Sequence, residues 1–157
     1  MKRVLVFGDS LLSSLQVYDD FHCSYHVESY PGLLARDAQE LLMISLKEDV
    51  YDIVVLCLGT NDLGHGLLPQ DVVDTMLNLH LLIRAVSPGK IVAVNLHTQF
   101  SAFNELLGEK SSDDVEFLSF FYELEPGDLG EDNFHLSKQG REHFAESMED
   151  LVNEIID

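Results

Sequence analysis

The chain's pattern predicts an α/β domain, a mostly parallel sheet covered by helices on both faces, and three observations carry the prediction. Four or five apolar runs alternate with segments of helical period. The runs at Val4 to Phe7, Ile53 to Leu58 and Ile91 to Leu96 are almost continuously apolar, as strands buried on both faces must be. Two others, Tyr25 to Tyr30 and Val115 to Phe121, mix in His26, Glu28, Glu116 and Ser119, which suits strands at the margins. With the second and fifth strands at the edges, the simplest right-handed winding is the order 2-1-3-4-5. Its crevice then opens between the first and third strands.

The elements follow in order. Val4 to Phe7 runs straight into Gly8-Asp9-Ser10-Leu11, where a helix can begin. After the second strand comes Pro31-Gly32, a turn pair, and then Leu34, Ala38 and Leu41 mark a helix. The third strand ends in Gly59-Thr60-Asn61-Asp62, read as a turn. Val72, Met76, Leu79, Ile83 and Val86 repeat at spacings of four and three, opened by Pro69 with Asp71 in the first turn and closed by Pro88-Gly89. A shorter helix is expected over Phe103 to Leu107. The last helix carries Phe144, Met148, Leu151 and Ile155 on one stripe, with Ser137 as its N-cap. These stripes, methionines included, read as core.

At 157 residues the chain is the size of one domain spanning positions 1–157, long enough to bury roughly 70% of the surface its unfolded form exposes. No apolar run approaches the roughly 20 residues that span a bilayer, and Val4-Leu5-Val6-Phe7 is too short for a signal-peptide core. The expected compartment is therefore the cytoplasm. Net charge is -19, from 28 acidic against 9 basic residues, and 16 of the acids fall between Glu105 and Asp157. Such a field repels polyanions, which makes nucleic acid, anionic membranes and phosphate-rich ligands poor partners. Two cysteines give neither a disulfide framework nor metal-ligand spacing. Cys57 sits in an apolar run and reads as core, while Cys23 lies in a polar stretch where exposure is expected.

A fourth signature, Asp132-Asn133-Phe134-His135, lies just before the last helix. A serine hydroxyl is a poor nucleophile at neutral pH and needs a base, a group orienting that base, and donors for the oxyanion that forms. The four signatures can supply all of these. Ser10 stands where the first strand ends, either as a helix cap or as a nucleophile whose own N–H faces the crevice. Asp132 and His135, three apart, can pair so that Nδ1 faces the carboxylate and Nε2 is left for Ser10; the alternative is a solvated acidic loop. Asn61 offers a neutral amide donor and Gly32 an unobstructed N–H, though both are equally good turn residues. Among the other histidines, His80 and His143 lie within helices, and His22 and His26 lie near an edge strand. Only His65 and His97, each just past a central strand, compete for a place at the rim.

In type and order the Gly-Asp-Ser-Leu, Pro-Gly, Gly-Thr-Asn-Asp and Asp-x-x-His blocks resemble the GDSL, or SGNH, hydrolase family, from Phe7 to His135. Phe103-Asn104-Glu105 resembles the helix that the family often carries before its fifth strand. The resemblance implies a flavodoxin-like three-layer sandwich and a cofactor-independent, metal-free esterase. It implies Ser10 as nucleophile, His135 as base, Asp132 as its orienting group, and an oxyanion hole from the Ser10 N–H, Gly32 and Asn61. The implied partner is a small-molecule ester, with no nucleic acid and no membrane insertion; oligomeric state is left open. Two departures bear on substrate. Only 22 positions separate Ser10 from Gly32, which implies a trimmed loop, and Leu96 to Phe103 holds His97-Thr98-Gln99 in place of a proline-rich stretch.

Other classes explain less. A thioesterase or lysophospholipase of the same family is disfavoured by the acidic surface and the scarcity of Lys and Arg near the motifs. A phosphoacceptor signalling domain would use Asp9 and Asp62 but needs a Lys at the end of the fifth strand, where none lies near Phe121. A flavin carrier needs a phosphate loop after the first strand, and Leu11-Leu12 is not one. A non-catalytic binding domain would have no reason to keep all four signatures.

Overall fold

The computed structural model describes residues 2–12, 24–110 and 115–156. The positions of His22 and Cys23 lie outside them. Within the described residues a parallel sheet runs in the order β2-β1-β3-β4-β5, with β1 at Arg3–Gly8, β2 at Ser24–Ser29, β3 at Ile53–Cys57, β4 at Lys90–Val94 and β5 at Val115–Leu118. This is the predicted winding. The central strands are buried along nearly their whole length, with Val4 through Phe7 and Val54 through Leu58 at 0% exposure. Such runs have no water-facing side to spare for polar residues.

The helices α1 (Gln39–Glu48), α2 (Thr60–Gly64), α3 (Pro69–Val86) and α4 (Ser101–Lys110) lie in the crossovers, and α5 (Lys138–Ile156) follows the last strand. On one face α3 packs between α1 and α4. α5 follows the edge strand β5 and runs back over the sheet to residues of β2 and β4. There its Phe144, Met148 and Val152 are buried, Glu149 accepts from the Tyr25 hydroxyl of β2, and the Lys90 ammonium reaches the Ile155 carbonyl at 2.6 Å. The stripe of α3 is buried from Val72 to Ile83, but Val86, the last residue of the helix, is 47% exposed. His80 is buried on that helix with neither ring nitrogen partnered, and desolvation, with Arg84 nearby, pushes its pKa down to about 4. It packs as a neutral ring.

Three boundaries differ from expectation. The fifth strand stops at Leu118 instead of reaching Phe121, and Phe120–Tyr122 forms a 3-10 turn. The reason is Asn95: its N–H donates to the Leu118 carbonyl while its side-chain Oδ1 accepts from Phe121 N–H at 3.0 Å, so a side chain ends the ladder. Thr60–Gly64 is a helical turn and not an open turn, started by Gly59 at φ +117°. A Cβ there would press on Phe103, Val72 and Leu96 at 3.2 to 3.4 Å. The helix expected over Phe103 to Leu107 extends over Ser101–Lys110. Ser137 caps α5 as expected, its Oγ accepting from Gly140 N–H at 3.1 Å.

The register decides where chemistry can gather. Gly8 stands opposite Ser29 on one side and Cys57 on the other, so the chain leaves β1, β2 and β3 at one level. Ser10, Pro31-Gly32 and Asn61 all emerge there, at the switch point of the winding. Among the described residues, no helix is long and apolar enough to cross a membrane.

Candidate active site

Beyond β1 the backbone turns into a 3-10 segment at Ser10–Leu12. Asp9 shapes this turn from both sides. Its Oδ1 accepts from Leu11 N–H at 3.0 Å, and its carbonyl accepts from the Ser29 hydroxyl at 2.8 Å. Ser10 is thereby left half-exposed with its hydroxyl toward the last loop, where Oγ lies 3.0 Å from His135 Nε2.

That loop folds back on itself. Leu129 and Leu136 form an antiparallel bridge, Gly130 N–H donates to the His135 carbonyl at 2.8 Å, and Asn133 takes the left-handed φ of +57° between them. Asn is among the few residues that tolerate this conformation. Asp132 uses both carboxylate oxygens: Oδ1 accepts from the backbone N–H of Phe134 at 2.9 Å and of His135 at 3.0 Å, and Oδ2 meets His135 Nδ1 at 2.6 Å. The His135 imidazole and these two N–H groups hold the Asp132 carboxyl down to about 2. A permanent carboxylate at Nδ1 makes Nδ1 the protonated nitrogen and leaves Nε2 as an acceptor for the Ser10 proton.

The loop is tied to α5 by Asp128, whose side chain is fully buried. Its carboxylate accepts from Glu125 N–H at 2.8 Å, Gln139 Nε2 at 2.9 Å and His143 Nδ1 at 2.7 Å. Nothing in the sequence alone distinguishes Asp128 from its many acidic neighbours, because its role lies in partners 11 and 15 residues away.

Pro31-Gly32 is a tight turn closed by Leu33 N–H onto the Tyr30 carbonyl at 3.1 Å, with Gly32 at φ +79°. Pro at the first corner and Gly at the second is the type II pattern. A Cβ on Gly32 would meet nothing within 4 Å, so the glycine serves backbone conformation and leaves the space before its N–H open. Asn61 is less free than the sequence suggests: Nδ2 already donates one hydrogen to the Leu33 carbonyl at 3.1 Å. Its second hydrogen remains. Asp62, beside it, is buried and accepts from Ala35 N–H at 2.7 Å, so two side chains of α2 clamp the loop that carries Gly32.

Of the competing histidines, His65 turns its Nδ1 to the Asn61 carbonyl at 2.7 Å, and His26 lies 3.7 Å from Glu28 on β2. His97 is buried between Phe121 and Phe134, with ring centroids at 4.5 and 4.7 Å. His143 is spent on Asp128. Among the described residues, only His135 reaches Ser10.

Asp9 belongs to the Gly8-Asp9-Ser10-Leu11 block, but its burial is not legible in the sequence. It is 1% exposed and its Oδ2 has no partner; burial above all raises its pKa from 3.8 to about 6, aided by the Asp62 charge and opposed by Leu11 N–H and His135. The folded state therefore holds this proton more tightly than the unfolded chain, and stability should decline as pH rises through the window from about 4 to about 6. Asp9→Asn keeps the acceptor for Leu11. The variant should be more stable than the wild type at pH 7.5 by as much as about 3 kcal/mol, with the difference gone below the window, as urea melts at the two pH values would report.

No protein-family model matches the sequence, and no curated protein matches it by sequence. Solved structures do match by fold. TesA is similar over 93% of this chain and 95% of its own, with a TM-score of 0.78 and 17% identity. The psychrotrophic esterase EstA from Pseudoalteromonas sp. is similar over 98% of this chain and 100% of its own, at TM-score 0.77 and 16% identity. A carbohydrate esterase family 3 protein from Talaromyces cellulolyticus covers 99% and 98%, at TM-score 0.76 and 18% identity. The fold of this chain is thus the fold that these solved structures share, over 93% or more of it.

Proposed function

We propose that the chain is a serine hydrolase of the SGNH type that cleaves small acyl esters through an acyl-enzyme. The single observation that carries the reading is the unbroken chain from Ser10 Oγ to His135 Nε2 at 3.0 Å and from His135 Nδ1 to Asp132 Oδ2 at 2.6 Å, standing at the sheet's switch point. In this reading Ser10 Oγ attacks the ester carbonyl as Nε2 takes its proton. The Ser10 N–H, Gly32 N–H and second amide hydrogen of Asn61 receive the oxyanion. The C–O bond then breaks, the alcohol departs with the proton from Nε2, and water deprotonated by the same nitrogen releases the acid and restores Ser10.

The preference for short acyl groups rests on the short interval from Ser10 to Gly32, which leaves little chain to wall a long acyl tunnel. The fold likeness to TesA, EstA and the carbohydrate esterase supports ester hydrolysis as the class. EstA is described as inhibited by monoethylphosphonate, a reagent type that mimics the tetrahedral intermediate on a nucleophilic serine.

The test is a p-nitrophenyl ester series from acetate to long acyl chains, with a fluorophosphonate probe read by intact mass. The expected result is fastest turnover on the shortest esters and one phosphonyl adduct that maps to Ser10 and is lost in Ser10→Ala. Turnover or labelling that persists in Ser10→Ala would move the nucleophile elsewhere. An optimum at long chains would favour a lysophospholipase or thioesterase instead.

A further inference from the structure

Asp9 directly precedes Ser10, and the mechanism above gives its buried carboxyl no part. Oδ1 accepts from Leu11 N–H at 3.0 Å, while Oδ2 has no partner among the described residues. We propose that Asp9 is a positioning residue for the base: ionised, it favours the imidazolium of His135 from the Ser10 side of the ring, as Asp132 does from the Nδ1 side. The inference rests on the serine hydrolase reading and adds what sets the strength of its base.

Position, surroundings and chemistry support it. Ser10 Oγ lies 3.0 Å from His135 Nε2, and the charge of the residue bonded to Ser10 acts on that imidazole. The other charged neighbour of Asp9 is Asp62 on α2; the Cys57 thiol at the end of β3 is kept neutral by burial, and Ser29 of β2 offers only a hydroxyl to the Asp9 carbonyl. Of these groups, only His135 can turn positive. Around His135 itself stand the Asp132 carboxylate and the His97 ring, which burial keeps neutral. A charge as deeply buried as that of Asp9 acts through a low dielectric and is little screened by salt. The choice of residue points the same way. A turn that needs only an acceptor for Leu11 N–H is served as well by Asn, without burying an ionisable group beside Asp62. A buried carboxyl kept at a cost in stability, with one oxygen unpartnered, is explained by a use for its charge.

The charges fix the sign of the effect. A negative Asp9 favours the protonated form of His135, so the imidazole is a stronger base than it would be beside a neutral side chain. The interaction is mutual: the imidazolium favours the ionised Asp9 by the same free energy. Burial, aided by Asp62, opposes this and brings the Asp9 pKa to about 6, so the carboxyl is ionised at pH 7.5 and neutral in acid. The basicity of His135 is therefore set by the ionisation of a group that never touches substrate.

NMR titrations come first, because they need no substrate. In Asp9→Asn, whose amide oxygen still accepts from Leu11, the His135 imidazole signal should reach its midpoint lower than in the wild type by about half a pH unit or more. In His135→Ala the Asp9 carboxyl carbon should reach its midpoint higher by a like amount, a reciprocity that a residue serving only the turn does not produce. Kinetics form the second arm. The acid limb of kcat/KM on p-nitrophenyl acetate reports the free enzyme, before any oxyanion has formed, and it should move to lower pH in Asp9→Asn. Activity at pH 5 relative to pH 8 should then rise by about threefold or more. Glu105→Gln, which removes an exposed carboxylate from α4, should move neither the titration nor the limb. Midpoints unmoved in both Asp9→Asn and His135→Ala, movement in the opposite sense, or equal movement in Glu105→Gln would overturn the role of Asp9. A wild type inactive on every ester would instead refute the hydrolase reading, while the titrations still decide whether Asp9 acts on His135.

Discussion

Replacing His135 with Ala should lower kcat on p-nitrophenyl acetate by about 10⁴ to 10⁶, the range seen when a base acting in concert with a serine is removed. The size follows from the geometry. Nε2 is the only described imidazole nitrogen at Ser10 Oγ, and the other described histidines are spent on Asn61, Glu28, Asp128, a buried position on α3 or an aromatic stack. Among the described residues, no neighbour can substitute. Ser10→Ala in the same background should cost little more, because the two groups act as one unit, and this non-additivity separates a working pair from two residues that merely support the fold. Asp132→Asn is the milder variant. Its amide would present N–H to Nδ1, favour the other tautomer and block Nε2 as an acceptor, for a loss of about 10⁴ with the loop intact. Steady-state kinetics with matched thermal melts would check all three. A kcat within tenfold of wild type in His135→Ala would end the proposed mechanism.

Gly140→Ala should be the most damaging small substitution, costing about 3 kcal/mol or more. An ideal Cβ at Gly140 would stand 1.9 Å from the Asp128 carbonyl oxygen and 2.8 Å from its carbon, and both are backbone atoms that cannot rotate aside. The same carbonyl accepts from Ser137 N–H at 2.8 Å, and the Asp128 carboxylate holds Glu125, Gln139 and His143. Moving Asp128 therefore disturbs the cap of α5 and the root of the loop that carries Asp132 and His135. The expected drop in melting temperature is about 6 to 12 °C for a chain of this size. Gly108→Ala is the control: it lies inside α4 with nothing within 4 Å of its Cβ, and Ala there should raise stability by roughly 0.5 to 1 kcal/mol. If Gly140→Ala melted at the wild-type temperature, the close approach of α5 to Asp128 would be wrong.

Much of the architecture was legible because it rests on local rules. Uninterrupted apolar runs identified β1, β3 and β4, polar interruptions marked β2 and β5 as edges, and right-handed crossovers then left one simple order. The end of β5 was not legible. Phe120 and Phe121 are as apolar as any strand residue, and only the side chain of Asn95, 26 positions from Phe121, ends the ladder. Gly59 read as a turn and starts a helix, because its positive φ suits either and the packing of Phe103, Val72 and Leu96 around it decides.

The candidate site divides the same way. By itself the sequence determined the strand order and the presence of Ser10, Asp132 and His135 at element ends, since spacing and the placement of small and polar residues are written along the chain. Tertiary structure alone decided that Asn61 spends one amide hydrogen on Leu33, that Asp9 is buried with an unpartnered oxygen, that Asp128 anchors the loop, and that His97 packs between Phe121 and Phe134 and not at Ser10. These are choices among chemically equivalent partners. A carboxylate or imidazole satisfies any donor or acceptor within about 3 Å, and which one comes that close is set by the packing of distant elements.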